Sequence, residues 1–165
     1  MRPFALLLLL AWLGGCTQQP DLPPGVFQAT DLLLDQAAWD QPRLAGDSTL
    51  PKGKFIALLW ASWCPTCRAE HPYVMQLAQR GVPLVGITFK DASADSLAFI
   101  DRFGNPFRIL LDDSEGKLAS KLGGDSTPIA FVFNHQHRLR GRIIGGLNQR
   151  RWERQGLGEW FTELE

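Results

Sequence analysis

Phe55-Ile56-Ala57-Leu58-Leu59-Trp60-Ala61-Ser62-Trp63-Cys64-Pro65-Thr66-Cys67 is the stretch on which the fold turns. Its first six residues form a continuous apolar run, with the length and character of a strand buried on both faces inside a sheet. Beyond Cys67, Val74, Leu77 and Ala78 recur at helical spacing to about Arg80, and Gly81 closes the segment. The pattern is a strand that turns into a helix, with two cysteines at the turn. Cys64 becomes the helix cap. Unpaired backbone amides and the positive end of the helix dipole favour a thiolate there, while Cys67 sits one turn in, within disulfide reach but more buried. Cys64 is therefore expected to attack and Cys67 to resolve. Pro65 at the first helical position costs no hydrogen bond, since that amide lacks an intrahelical partner anyway.

Working outward, Val82 to Phe89 reads as a second buried strand. Ser93 to Phe103 reads as a helix with Leu97, Ile100 and Phe103 on one face and Gly104 as its stop. Arg108 to Leu111 is expected to be a short strand and Lys117 to Leu122 a short helix. Ile129 to Phe133 and Leu139 to Ile144 flank the polar turn Asn134 to His137, which predicts an antiparallel hairpin. Asn148 caps a last helix containing Trp152, Trp160, Phe161 and Leu164, although Gly156 and Gly158 weaken its middle. From Val26 to Gly53 the pattern is weak and supports only short strands or a turn of helix. Two βαβ units, a hairpin and a closing helix predict an α/β domain of three layers around a mixed sheet.

The chain has 165 residues, enough for one ordinary domain, and its 45% hydrophobic and 21% charged content suits a globular core rather than a disordered chain. Seventeen basic residues balance seventeen acidic ones, so no charge excess points to nucleic acid as a partner. Three cysteines are too few for a disulfide-stapled scaffold. At the amino terminus Arg2 precedes an apolar run from Phe4 to Leu13, then Gly14, Gly15 and Cys16, the layout of a signal peptide over 1–15. The run falls short of the roughly 20 apolar residues a membrane span needs. Leu13-Gly14-Gly15-Cys16 resembles a bacterial lipobox, in which the cysteine is diacylated and becomes the first mature residue; the alternative is an ordinary signal peptide with an incidental cysteine. Lipidation of Cys16 would also remove a stray thiol from an oxidising compartment and hold the domain at a membrane surface. Residues 16–25, with three prolines, read as a tether to a domain over 26–165.

A bare CxxC could be half of a zinc site, but zinc needs two further ligands. His71 lies on the helix past Cys67, and His135 and His137 are one residue apart in a turn, so all three are read as solvated and no metal is expected. A peroxide-reducing cysteine would have a proline and a threonine or serine ahead of it, where this chain has Ala57 and Ala61. Trp60-Ala61-Ser62-Trp63-Cys64-Pro65-Thr66-Cys67-Arg68-Ala69-Glu70-His71 resembles the active-site stretch of thioredoxin-fold proteins. More narrowly, it is similar to the DsbE/CcmG thiol:disulfide reductases of bacterial cytochrome c maturation. The likeness continues through 85–91, 103–107 and 145–153 and covers roughly Lys54 to the end.

The resemblance implies a thioredoxin-like fold and a cis-proline at Thr127-Pro128 beside the disulfide, where the exposed backbone could pair with an extended client segment. It implies Cys64 and Cys67 as the redox pair, with Trp63, Pro65, Thr66, Thr127 and Pro128 against the client. The sequence departs from the wider pattern at Leu58, where thioredoxins carry a buried carboxylate, and at Ile129, where this branch usually has an acidic residue. Glu70 matches a glutamate of the membrane-anchored reductases and is the candidate for proton traffic, against the plain alternative of a solvated helix-surface residue. The function implied is a periplasm-facing, lipid-anchored oxidoreductase that reduces apocytochrome c or a maturation thiol protein. Its electrons would come from a membrane thiol relay, and no cofactor is needed, there being no glycine-rich dinucleotide fingerprint. A general thiol oxidant or isomerase, and a lipid-anchored chaperone or binding module without turnover, are the alternatives.

Overall fold

The computed structural model describes residues 27–33 and 36–162. The expected signal peptide, Cys16, the tether and Leu164 lie outside the described residues. The strands are β1 (Phe27–Leu33), β2 (Arg43–Gly46), β3 (Phe55–Trp60), β4 (Leu84–Phe89), β5 (Ile109–Asp113), β6 (Ile129–Phe133) and β7 (Arg138–Ile144). The helices are α1 (Pro65–Gln79), α2 (Ser93–Phe103), α3 (Lys117–Lys121), α4 (Gln149–Arg154) and α5 (Leu157–Thr162), with a short 3-10 helix at Gln36–Trp39.

All seven strands join one mixed sheet in the order β1-β7-β6-β3-β4-β5-β2. β3, β4 and β5 run parallel, with α1 and α2 as their crossovers, while β6 and β7 run antiparallel and close one side. Every residue of β3, β4 and β6 is buried, which is why these strands are unbroken apolar runs rather than alternating ones. The weakly patterned segment before Gly53 supplies both sheet edges, β1 against β7 and β2 against β5.

Alternate residues of β3 feed two cores. Ile56, Leu58 and Trp60 pack with Val74 and Leu77 of α1, Phe99 and Ile100 of α2, and Trp152, Leu157 and Trp160 of the last two helices. On the other face Phe55, Ala57 and Leu59 pack with Leu118 and Ala119 of α3 and with Trp39. Phe55 and Phe133 stack at 4.8 Å and Trp39 meets both edge-on, contacts worth about 0.5–1.5 kcal/mol each beyond area burial.

Two expectations are corrected here. α2 buries Ser96, Phe99 and Ile100, whereas Leu97 and Phe103 are 37% and 44% exposed. The stripe is displaced because Phe99, in contact with Trp60 and His71, is the ring that faces the core. The single closing helix is two: Asn148 caps α4 by accepting the Arg151 amide at 3.0 Å, but Gly156, at φ +60°, separates α4 from α5. A left-handed residue cannot continue a right-handed helix, and the break lets Trp160 and Leu157 turn back onto the core.

Candidate active site

β3 ends at Trp60, and the chain makes one turn, in which the Cys64 amide donates to Ala61 O at 3.2 Å, before α1 begins at Pro65. Cys64 is the N-cap, extended at φ −79° and ψ 116°, and its Sγ accepts the Cys67 amide at 3.2 Å. The expected capping role is thus present in the geometry. Opposite, the Thr127–Pro128 peptide bond is cis, and Thr127 O lies 3.7 Å from Cys64 Sγ, which donates to it as a thiol. β6 begins at the next residue and pairs with the end of β3, through Ile129 and Leu59. That pairing brings two segments more than sixty residues apart to one sulfur.

Both cysteines are free thiols. Burial does not distinguish them as expected: Cys64 is 3% and Cys67 4% exposed, because the Thr127–Pro128 segment lies against the first sulfur. Their surroundings do differ. Burial pushes the Cys67 thiol far above its ordinary range, helped by its hydrogen bond with Cys64 and by the charge of Glu70.

Glu70 is buried rather than solvated on the helix surface. Its Oε2 accepts the Leu147 amide, and its Oε1 is buried without a partner. Burial raises its pKa to about 7, against the opposing pull of the Leu147 hydrogen bond and the nearby Arg151 guanidinium. The approach of the 145–147 turn is close: a Cβ on Gly146 would stand 3.1 Å from Thr66 Cγ2 and 3.3 Å from Glu70 Oε2. The site therefore holds a carboxyl that can change protonation near neutrality beside a thiol that resists ionisation.

Trp63 is 55% exposed and Pro65 and Thr66 are exposed, forming the rim around the buried sulfurs. Thr127 is half-buried and Pro128 buried. Leu58 shares the core of Cys64 and Cys67, whereas Ile129 lies in the core of the opposite sheet face, directed away from them. The histidines are not uniformly solvated. His71 is buried and its Nε2 donates to Gly104 O at 3.0 Å, His137 Nε2 is 2.8 Å from Pro51 O, and only His135 is exposed. Among the described residues no cluster of three or more metal-ligating side chains occurs.

Several residues that hold the turn escaped the sequence reading. Asp91 accepts from Ser62, Lys90 O accepts the Trp63 indole N–H at 3.1 Å, and Arg68 Nη1 donates to Ser62 O at 3.2 Å. The signal that could have found the first two is strand register, since residues following two adjacent parallel strands meet at the same sheet end.

The profile of the redoxin family matches residues 34–158. The probable thiol:disulfide interchange protein DsbE-2 of Pasteurella multocida is 34% identical over 138 residues, which cover 84% of this chain and 70% of that protein. The thiol:disulfide interchange protein DsbE of Escherichia coli K12 is 39% identical over 112 residues, covering 67% of this chain and 60% of its relative. The chain thus spans about 60% of the length of that second protein. Among solved structures, a secreted Mycobacterium tuberculosis disulfide oxidoreductase homologous to Escherichia coli DsbE superposes with a TM-score of 0.62 at 18% identity. The match covers 74% of this chain and 99% of the other. At that identity the likeness shows the fold alone.

Proposed function

The chain belongs to the redoxin family, as a thioredoxin-like oxidoreductase among the DsbE-type thiol:disulfide interchange proteins, and on that premise we propose that it is a membrane-tethered, periplasm-facing reductase of apocytochrome c or of a cytochrome c maturation thiol protein. The observation that carries the reading is the Cys64 sulfur, at the N-cap of α1 and facing the Thr127 carbonyl of a cis-proline segment. An extended client strand laid along that segment brings its disulfide to Cys64.

Cys64, as thiolate, attacks one sulfur of the client disulfide. The client S–S bond breaks, a Cys64–client bond forms, and the other client sulfur leaves as a thiolate. Cys67 then gives up its proton and attacks Cys64 sulfur, so that the Cys64–Cys67 disulfide forms and the client leaves with both thiols. Two electrons pass from protein to client. Glu70 is the group beside Cys67 suited to take its proton, because the carboxyl ionises near neutrality. A membrane thiol relay restores the dithiol.

The client assignment is tested by producing the Cys67→Ser variant in the source cells. Serine is too weak a nucleophile to complete release, so a covalent complex accumulates, visible on non-reducing electrophoresis and identifiable by mass spectrometry. The expected trapped chain is an apocytochrome c or a thiol protein of its maturation. A trapped chain unconnected with haem attachment would overturn the substrate assignment.

Tethering is proposed through lipid on Cys16. Full-length protein is expected in the membrane fraction and a Cys16→Ser variant in the soluble fraction. Equal membrane retention of the two would show that lipidation of Cys16 is not the anchor.

A further inference from the structure

Asp91 lies just past the end of β4, and neither the exchange steps nor the proton transfer uses it. β3 and β4 pair in parallel with Trp60 opposite Thr88, and β4 ends at Phe89, so residues 61–63 and 90–91 leave the sheet side by side. The Asp91 side chain is 5% exposed and fully engaged. Its Oδ2 accepts the Ser62 amide at 2.6 Å and the Ser96 hydroxyl at 2.7 Å, and its Oδ1 accepts the Ser62 hydroxyl at 3.0 Å. Lys90, at φ 49° in a left-handed conformation uncommon for a side chain of its size, presents its carbonyl to the Trp63 indole. Arg68 holds the Ser62 carbonyl from the other side. Ser62 is thus fixed through its amide, hydroxyl and carbonyl, two residues before the sulfur that caps α1.

We propose that Asp91 is a positioning residue for the redox pair. By anchoring Ser62, and through it the turn from Ala61 to Cys64, it sets where the Cys64 sulfur stands relative to the Cys67 amide and the Thr127 carbonyl. The inference rests on Cys64 being the attacking thiol. Reaction rates depend steeply on such placement, and a misplacement of about 1 Å can cost about 100-fold. The contacts also indicate how the anchor works. Asparagine could reproduce all three, with its oxygen taking the Ser62 amide and the Ser96 hydroxyl and its nitrogen donating to Ser62 Oγ. Glutamate keeps the charge but is one methylene too long for a cavity closed on the Ser62 amide and on α2. The length of the side chain is therefore what matters.

The test is the rate at which iodoacetamide alkylates Cys64 in the full-length chain carrying Cys67→Ser, followed by mass spectrometry of the Cys64 peptide from pH 5 to pH 9. With Asp91→Asn the rate is expected within about 3-fold of the parent, as rescue by the shape-conserving change. With Asp91→Glu it is expected to fall at least ~10-fold across the profile while far-ultraviolet circular dichroism remains that of the folded protein. A rate for Asp91→Glu within 3-fold of the parent overturns the proposal, and so does an Asp91→Asn rate as low as that of Asp91→Glu. Should Asp91→Glu fail to fold, deuterium exchange in the unaltered protein decides: the Ser62 amide is expected to be protected at least ~100-fold, and an unprotected amide overturns the anchor. Because iodoacetamide needs no client, this result stands apart from the identity of any trapped chain.

Discussion

Cys64→Ser is expected to slow reduction of a test peptide disulfide by at least ~10³-fold, whereas Cys67→Ser keeps the first exchange and fails only at release. The asymmetry follows from position. Cys64 ends the turn from β3, faces the cis-proline segment along which a client strand is proposed to lie, and accepts the Cys67 amide. Cys67 lies inside α1, and burial holds it as a thiol, so it cannot begin the reaction. It becomes competent only when the mixed disulfide brings an electrophilic sulfur to it and a neighbouring base removes its proton. Single-turnover kinetics separates the variants: Cys67→Ser should react once per molecule at a rate close to that of the unaltered protein, and Cys64→Ser should show no first turnover. A fast first turnover by Cys64→Ser would reverse the assigned roles.

Glu70→Gln is expected to stabilise the protein progressively as pH rises. The Glu70 pKa is raised from 4.5 to about 7 in the folded chain, chiefly by burial. Between those values the folded protein retains a proton that the unfolded chain releases, so unfolding releases protons and stability falls with increasing pH. The interval corresponds to about 3 kcal/mol, present below pH 4.5 and lost above about pH 7. Glutamine keeps an oxygen for the Leu147 amide and cannot ionise. His71 acts in the opposite sense, since burial lowers its pKa and its contribution grows as pH rises. It is common to both proteins and cancels in their difference. Urea unfolding of both dithiol proteins from pH 4 to pH 8.5 should give a stability difference that grows by about 3 kcal/mol in favour of glutamine. A constant difference would mean that the buried carboxyl does not carry this load.

The parts of this molecule legible in its sequence are those where local chemistry and tertiary placement agree. Phe55–Trp60 and Ile129–Phe133 are unbroken apolar runs because their strands are buried on both faces, and the run boundaries coincide with the strands. Cys64 caps α1, and the proline that follows it takes the first helical position, where the missing amide would have no intrahelical partner. α2 shows where periodicity runs short. Leu97, Ile100 and Phe103 make a valid helical stripe, but so do Ser96, Phe99 and Ile100, and only the neighbours Trp60 and His71 select between them. The hydrogen bond that Glu70 accepts could not be read locally, because the amide that donates it belongs to Leu147, 77 residues away. Asp91 was hidden for the same reason: its partner Ser62 is 29 residues distant and meets it only through the β3–β4 register. The helix spacing from Cys67 to Glu70 did carry a signal, since residues three apart share a helix face and Cys67 faces inward.

Equilibration of the purified chain in glutathione buffers, with the Cys64–Cys67 disulfide quantified after acid quenching and alkylation, tests the reductase assignment most directly. A reductase needs a couple that forms reversibly and lies on the reducing side of the disulfide isomerases, whose potential is about −180 mV. The expected result is a single two-electron transition joining Cys64 to Cys67 at a potential more negative than that value. A less negative potential, or no reversible Cys64–Cys67 disulfide, would contradict it.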